Sequence, residues 1–135
     1  MSEQQVSHPK IEIFIQSEYL ENQSAPDDNY YAFSYHVQIQ NSSSEVVQLL
    51  NRQWMIMDAS GQVREVKGDG VIGEQPVIQP GKSHFYSSWS VIATPVGCMQ
   101  GKYGMRIIED ENTNTNVDFY ADIPIFTLAV PGTLN

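Results

Sequence analysis

A two-residue alternation of apolar and polar side chains is the strongest constraint on how this chain folds. It is clearest over 31–39, where one parity holds Tyr31, Phe33, Tyr35, Val37 and Ile39. The other parity holds Ala32, Ser34, His36 and Gln38. A half-buried β-strand has this period, whereas an amphipathic helix repeats every ~3.6 residues. No helical period extends beyond a single turn, so the sequence predicts an all-β protein.

Seven segments carry a strand pattern and are separated by turn-forming residues. The predicted strands are 10–19, 31–39, 46–57, 62–66, 82–91, 99–108 and 117–128, the last bent or divided by Pro124. Without strand–helix alternation, this order predicts a sandwich of two antiparallel sheets, immunoglobulin-like or fibronectin type III-like. No cysteine pair links the sheets. Large residues, Trp54, Phe33, Tyr35 and Tyr103, are therefore predicted to fill the core.

The predicted strand 82–91 has an apolar and a polar parity. Phe85, Trp89 and Val91 share the first, whereas Tyr86 lies on the second. His84 also lies on the polar parity, and we therefore expect its side chain on an exposed strand face.

Length, charge and cysteine content limit the classes of function. The 135 residues fit one domain, predicted over 10–135 after a polar segment at 1–9. A formal net charge of −9 repels phosphate backbones, so no nucleic acid partner is expected. No apolar run approaches the ~18 residues of a membrane span, which predicts no membrane insertion. The polar opening segment and the lone Cys98 predict a cytoplasmic protein without a disulfide.

The glycine-rich run over 68–81 imitates a dinucleotide-binding turn. Its first three glycines have the GxGxxG spacing, but Pro76 and Pro80 interrupt the helix that such a turn must open. The segment is therefore predicted to be an irregular loop between strands.

Two roles stay open for this loop, ligand binding and a purely structural glycine turn. Candidate pyrophosphate donors are the backbone amides of Gly68, Gly70 and Gly73, together with Lys67. Asp69 and Glu74 repel phosphate unless a divalent cation intervenes, and their oxygens suit magnesium. They are the candidate metal ligands.

A third candidate site is a surface for a protein partner, with Tyr86, Trp89 and Leu134 as its residues. Catalysis is not expected, because the serines of 87–90 lack a nucleophile elbow and Cys98 has no local catalytic context. We predict no cofactor. Homodimerisation is a further hypothesis, since the edge strands of a sandwich need protection from open-ended pairing.

Several ordered motifs resemble the ApaG family, also called CorD. They are the runs Gln48-Leu49-Leu50-Asn51-Arg52-Gln53-Trp54, Gly68-Asp69-Gly70-Val71-Ile72-Gly73-Glu74-Gln75-Pro76, Pro80-Gly81 and the ending over 125–135. The resemblance runs from Ile11 to the last residue and implies a fibronectin type III-like fold. The bacterial family has no established enzymatic activity and is associated with cobalt resistance and magnesium efflux. Its domain recurs in eukaryotic F-box proteins and in a polymerase-delta-interacting protein.

These family contexts imply a non-catalytic binding or regulatory module that acts through protein–protein interaction and is linked to divalent cation homeostasis. The alternative is metal-assisted binding of pyrophosphate or a nucleotide polyphosphate through the 68–73 loop. The two functions belong to different classes, since one needs an exposed surface and the other a ligand site.

Overall fold

Eight β-strands and two short 3-10 turns form the protein in this computed structural model, which describes residues 8–109 and 116–133. The strands are β1 (Ile11–Tyr19), β2 (Tyr31–Asn41), β3 (Val47–Asp58), β4 (Val63–Asp69), β5 (Val77–Ile78), β6 (Ser83–Ile92), β7 (Val96–Ile107) and β8 (Phe119–Ala129). The 3-10 turns, Glu21–Gln23 and Pro26–Asp28, lie between β1 and β2. The all-β class is confirmed. No helix in the described ranges is long and apolar enough to cross a membrane.

The strands form two sheets. One has three strands in the order β1-β2-β6, and the other has five, with the path β4-β3-β7-β8 and β5 paired to β3. Every pairing is antiparallel, which confirms the predicted two-sheet sandwich. The predicted strand number was one too low, because β5 has two residues and is too short to show a period. Pro124 does not divide β8, although the β7–β8 register shifts between Met99 and Gly101, opposite this proline.

Strand β6 faces the opposite way from its sequence prediction. Phe85 and Trp89 lie on the outer face, with 67% and 62% of their surface exposed. His84 and Tyr86 lie on the inner face and are half-buried. The register with β2 fixes this orientation through the pairs Phe33↔Ser90, Tyr35↔Ser88, Val37↔Tyr86 and Ile39↔His84. Because these β2 residues are buried in the core, their β6 partners share the inner side of the sheet.

A column of aromatic rings joins the two sheets through the core. Tyr35 of β2 packs against Trp54 of β3 with ring centroids 5.4 Å apart. Trp54 meets Tyr103 of β7 edge-on at 6.3 Å, and Tyr103 meets Tyr86 of β6 at 6.5 Å. The hydroxyl groups of Tyr86 and Tyr103 hydrogen-bond to each other across the sheets. The predicted core aromatics, Trp54, Phe33, Tyr35 and Tyr103, are all buried as expected.

A buried asparagine holds the β2–β3 connection, which the sequence shows only as a polar turn. The Asn41 side chain is fully buried and donates to the carbonyl oxygens of Glu45, at 2.7 Å, and Ile78, at 2.9 Å. Its Oδ1 accepts from the backbone N–H of Ser43 at 3.0 Å. These hydrogen bonds take the place of those that the Asn41 amide would make with water. The bond to Ile78 fixes the connection to β5.

We expect the buried tyrosines to make stability fall at high pH. Burial raises the pKa values of Tyr35, Tyr86 and Tyr103 above the ordinary 10.0. The unfolded chain then loses these protons near that value while the folded chain keeps them. Stability is therefore fully present below about pH 10 and declines above it, by at most about 1.4 kcal/mol per pH unit for each tyrosine.

Urea unfolding between about pH 8 and pH 11 measures this decline. A Tyr86→Phe/Tyr103→Phe double variant removes two of the buried phenols and should have a shallower slope. Tyr30→Phe alters an exposed phenol and should keep the wild-type slope. Equal slopes for all three proteins would contradict the assignment of the decline to the core.

Candidate functional site

The glycine-rich segment forms a strand end and a tight turn rather than an irregular loop. Gly68 lies within β4, opposite Arg52 of β3. The turn that follows is closed by Val71 N–H donating to Glu74 O, at 2.8 Å, and by Glu74 N–H donating to Val71 O, at 3.0 Å. Its central residues Ile72 and Gly73 have φ values of 46° and 74°. Positive φ at both central positions is the pattern of a type I′ hairpin turn.

The carbonyl group of Leu50 anchors this segment to β3. It accepts from Gly70 N–H, at 2.8 Å, and from Gln75 Nε2, at 2.9 Å. The carbonyl is free to do so because the β3–β7 register shifts between Leu49 and Asn51, a β-bulge that leaves Leu50 out of the ladder. The two ends of the turn are thus tied to one point of β3.

The Arg52 guanidinium makes a second anchor. Its Nη1 donates to the carbonyl oxygens of Asp69 and Gly70, both at 2.9 Å. A Cβ placed on Gly68 would lie 2.8 Å from Nη2 of the same side chain. Glycine at position 68 therefore makes room for the guanidinium, and the first glycine of the motif has a packing role.

The predicted pyrophosphate donors do not all remain free. The N–H of Gly70 is already donated to Leu50, whereas Gly73 lies at the exposed tip of the turn. Lys67 is exposed and pairs with Glu65 at 3.2 Å. Gly68 lies opposite Arg52 in the β3–β4 ladder, where the alternation of hydrogen-bonded pairs directs its N–H to β3. The pyrophosphate hypothesis thus loses Gly70 and Gly68 as donors and stays a prediction for Gly73 and Lys67.

The predicted metal ligands have one notable neighbour. The Glu74 carboxylate lies 4.0 Å from Nε2 of His84, and this nitrogen is buried with no hydrogen-bond partner. Within 8–109 and 116–133, no three or more His, Cys, Asp or Glu side chains gather as a metal site would require. The assignment of Asp69 and Glu74 to a cation therefore stays a prediction.

The outer face of the three-stranded sheet carries large exposed aromatic side chains. Phe14 of β1 is 51% exposed. The register Phe14↔Gln38↔Phe85 places it level with the exposed Phe85 of β6, with β2 between them. Trp89 lies further along β6 on the same face. A groove of about 720 Å³ follows this face, where His36 Nδ1 and Ser87 Oγ hydrogen-bond at 2.6 Å.

Of the two predicted partner-binding residues within the described ranges, one lies on this aromatic face. Trp89 is exposed as the hypothesis requires, but Tyr86 points into the core, where its hydroxyl bonds Tyr103. Leu134 lies outside the described residues. The sequence prediction missed Phe14 and Phe85. For Phe14 there was a signal, since it interrupts the otherwise polar parity of its strand.

Alanine at the turn glycines should separate backbone conformation from crowding. At Gly73, φ is +74° and a Cβ would meet no atom within 4 Å. At Gly70, φ is +61° and a Cβ would overlap the Glu74 carbonyl oxygen. Gly73→Ala should cost about 1 kcal/mol of unfolding free energy, and Gly70→Ala about 1–3 kcal/mol more. Urea unfolding of both variants measures the difference, and equal losses would contradict the close approach at Gly70.

Comparison with known proteins identifies the family. Residues 21–107 match the family model described as the ApaG domain. The chain is 47% identical over 126 residues to Protein ApaG of Escherichia coli (strain K12 / DH10B), covering 93% of this chain and 96% of the relative. Protein ApaG of Shigella boydii serotype 18 gives the same values, 47% identity with 93% and 96% coverage.

A solved structure has the same fold. The crystal structure of a Bordetella pertussis protein named ApaA has a TM-score of 0.84 and 33% sequence identity to this chain. The similarity covers 96% of this chain and 100% of that one. Because the family model and these relatives span most of the sequence, the chain belongs to the ApaG family.

Proposed function

We propose that this protein is a non-catalytic binding module that holds a protein partner on the outer face of its three-stranded sheet. The observation that carries the proposal is the exposure of Phe14, Phe85 and Trp89, each more than half exposed on that one face. Aromatic side chains give up a large apolar area when a partner covers them, and they are enriched among the residues that dominate binding energy.

The charges around the aromatic face indicate what kind of protein would cover it. The outward positions of β1 include Glu12 and Glu18, and none of the outward positions of β1, β2 and β6 is a lysine or arginine. The whole chain has a net charge of −9. A partner with apolar anchors ringed by basic residues is complementary to such a face, and opposite charge would also speed its association.

Two features support a non-catalytic role in the cytoplasm. Tyr86 and Tyr103, whose pKa values burial raises, are bonded to each other in the core, where their environment serves packing rather than proton transfer. Cys98 is a free, half-buried thiol, as suits a reducing compartment. If this protein is linked to cobalt or magnesium homeostasis, it would act there by binding its protein partner.

A second candidate function is metal-assisted binding of pyrophosphate or a nucleotide polyphosphate at the 68–73 loop. The observation in its favour is the buried, unpartnered Nε2 of His84 beside Glu74. Calorimetric titration with magnesium or cobalt, alone and with pyrophosphate, tests this function. Saturable heat that is lost in Glu74→Gln would support it, whereas silence in every titration would exclude it.

Removing the two phenylalanines should weaken partner binding without unfolding the protein. Because Phe14 and Phe85 are exposed, Phe14→Ser/Phe85→Ser should change unfolding free energy by less than about 0.5 kcal/mol per site. Affinity purification with wild-type and variant protein, followed by identification of the retained proteins, gives the partner. The purified partner should then bind the double variant at least about tenfold more weakly, since each lost aromatic anchor is worth over ~1 kcal/mol.

The matched control is Ile125→Ser, which removes a similarly exposed apolar side chain from β8 of the other sheet. This control should bind the partner as the wild type does. Equal loss in the control and the double variant would contradict a site on the three-stranded sheet. If the wild type sediments as a dimer and the double variant as a monomer, the face would instead bind a second copy of this chain.

A further inference from the structure

The two open sides of the sandwich differ, and one of them forms a cleft. On one side β1 and β8 are joined where Ser17 Oγ donates to Thr127 O at 2.8 Å. On the other side the sheet edges are β4 and β6. Between them lies a cleft of about 330 Å³, within the usual range of about 300–1,000 Å³ for small-molecule sites.

Two arginines line this cleft, and neither neutralises a carboxylate. Arg52 donates through Nη1 to two backbone carbonyl oxygens, and Arg64 donates through Nη2 to Ser90 Oγ, at 3.3 Å, and Val91 O, at 3.2 Å. Throughout the described part of the chain, no Asp or Glu oxygen lies within 4.0 Å of either guanidinium. In a chain with sixteen acidic residues and seven basic ones, two such cations in one cleft are unexpected.

Both guanidinium groups keep hydrogen-bond donors for a ligand. Arg52 uses only Nη1 and Arg64 only Nη2 in the contacts given above. A guanidinium has five N–H groups in a fork that matches the oxygens of carboxylates and phosphates. The buried side chains of Trp54, Ile56 and Met99 line the same cleft. Their apolar surface lowers the local dielectric constant and strengthens attraction between a guanidinium and an anion.

The spacing of the two arginines indicates the shape of the anion. Arg64 is anchored to Ser90 and Val91 of β6, whereas Arg52 is anchored to the carbonyl oxygens of Asp69 and Gly70 at the end of β4. The two guanidinium groups are therefore held at different points of the cleft. An anion with a charge at each end, such as a diphosphate or a short dicarboxylate, can pair with both.

We propose that the cleft between β4 and β6 is a binding site for a small dianion, with Arg52 holding one charged end and Arg64 the other. This site is separate from the aromatic face and from the amides of the turn. Trp89 lies at the border, since this residue also lines the cleft. The chain has two tryptophans, Trp54 and Trp89, and both are lining residues of the cleft, so intrinsic fluorescence is a suitable probe of its occupancy.

Fluorescence titration of the full chain with inorganic pyrophosphate, and separately with glutarate, tests the proposal. Both titrations contain EDTA, so that no metal ion contributes. A saturable change below about 10 mM is expected for one or both probes. Pyrophosphate alone would indicate a phosphate ligand and glutarate alone a dicarboxylate, and either supports a dianion site. No saturable change with either probe, in fluorescence and in calorimetry, would overturn the proposal.

Arg64→Gln and Lys67→Gln form a matched pair of variants. Each removes one positive charge from β4, but Lys67 is exposed, paired with Glu65, and absent from the cleft lining. Arg64→Gln should weaken binding at least tenfold, and Lys67→Gln by less than twofold. Circular dichroism verifies that both variants fold. Equal weakening by the two variants would show a general charge effect, and stronger weakening by Lys67→Gln would move the anion to the turn; either result overturns the cleft assignment.

Discussion

The contact between Tyr103 and its neighbours Trp54 and Tyr86 is the interaction on which the rest of the structure depends. Without a disulfide, the sheets are held by the packed core, in which aromatic rings meet and one hydroxyl pair bonds across from sheet to sheet. A buried phenol needs a hydrogen-bond partner, so Tyr103 requires the hydroxyl of Tyr86 on the facing sheet. This requirement turns Tyr86 inward. Alternation along β6 then turns Phe85 and Trp89 outward, and the exposed aromatic face follows from the packing of the core.

The glycine motif is explained by the strand against which it packs. Gly68 leaves space for the Arg52 guanidinium, Gly70 approaches the Glu74 carbonyl in a positive-φ conformation, and Gly73 supplies the second positive φ of the turn. In dinucleotide-binding folds the same spacing opens a helix that presents its amides to pyrophosphate. Here the Gly70 N–H donates to the Leu50 carbonyl oxygen instead of to a ligand. Identical spacing therefore serves two different structures, and the element that follows the motif distinguishes them.

Much of the fold could be predicted from the sequence because period two is a local property. The long strands, the sheet class and the buried Trp54 all follow from it. The orientation of β6 could not be predicted, since Phe85 and Trp89 outweigh Tyr86 in hydrophobicity and only the β2 register shows which parity faces the core. The burial of Asn41 could not be predicted either, because one of the two carbonyl oxygens that satisfy its amide, that of Ile78, is distant in sequence. The arginine cleft depends on two sheet edges meeting, which no local pattern encodes.

The two open sides of the sandwich differ, since β1 and β8 are bonded on one side and a cleft lies between β4 and β6 on the other. This difference explains how one small domain can offer separate binding surfaces. Where Ser17 joins β1 to β8, the sheets are linked by a direct hydrogen bond. Where β4 meets β6, the long Arg64 side chain spans the gap through two long hydrogen bonds, which a stronger acceptor can replace at little cost. Trp89 borders both this cleft and the aromatic face. An anion in the proposed cleft site would therefore lie beside a residue that also belongs to the proposed partner surface.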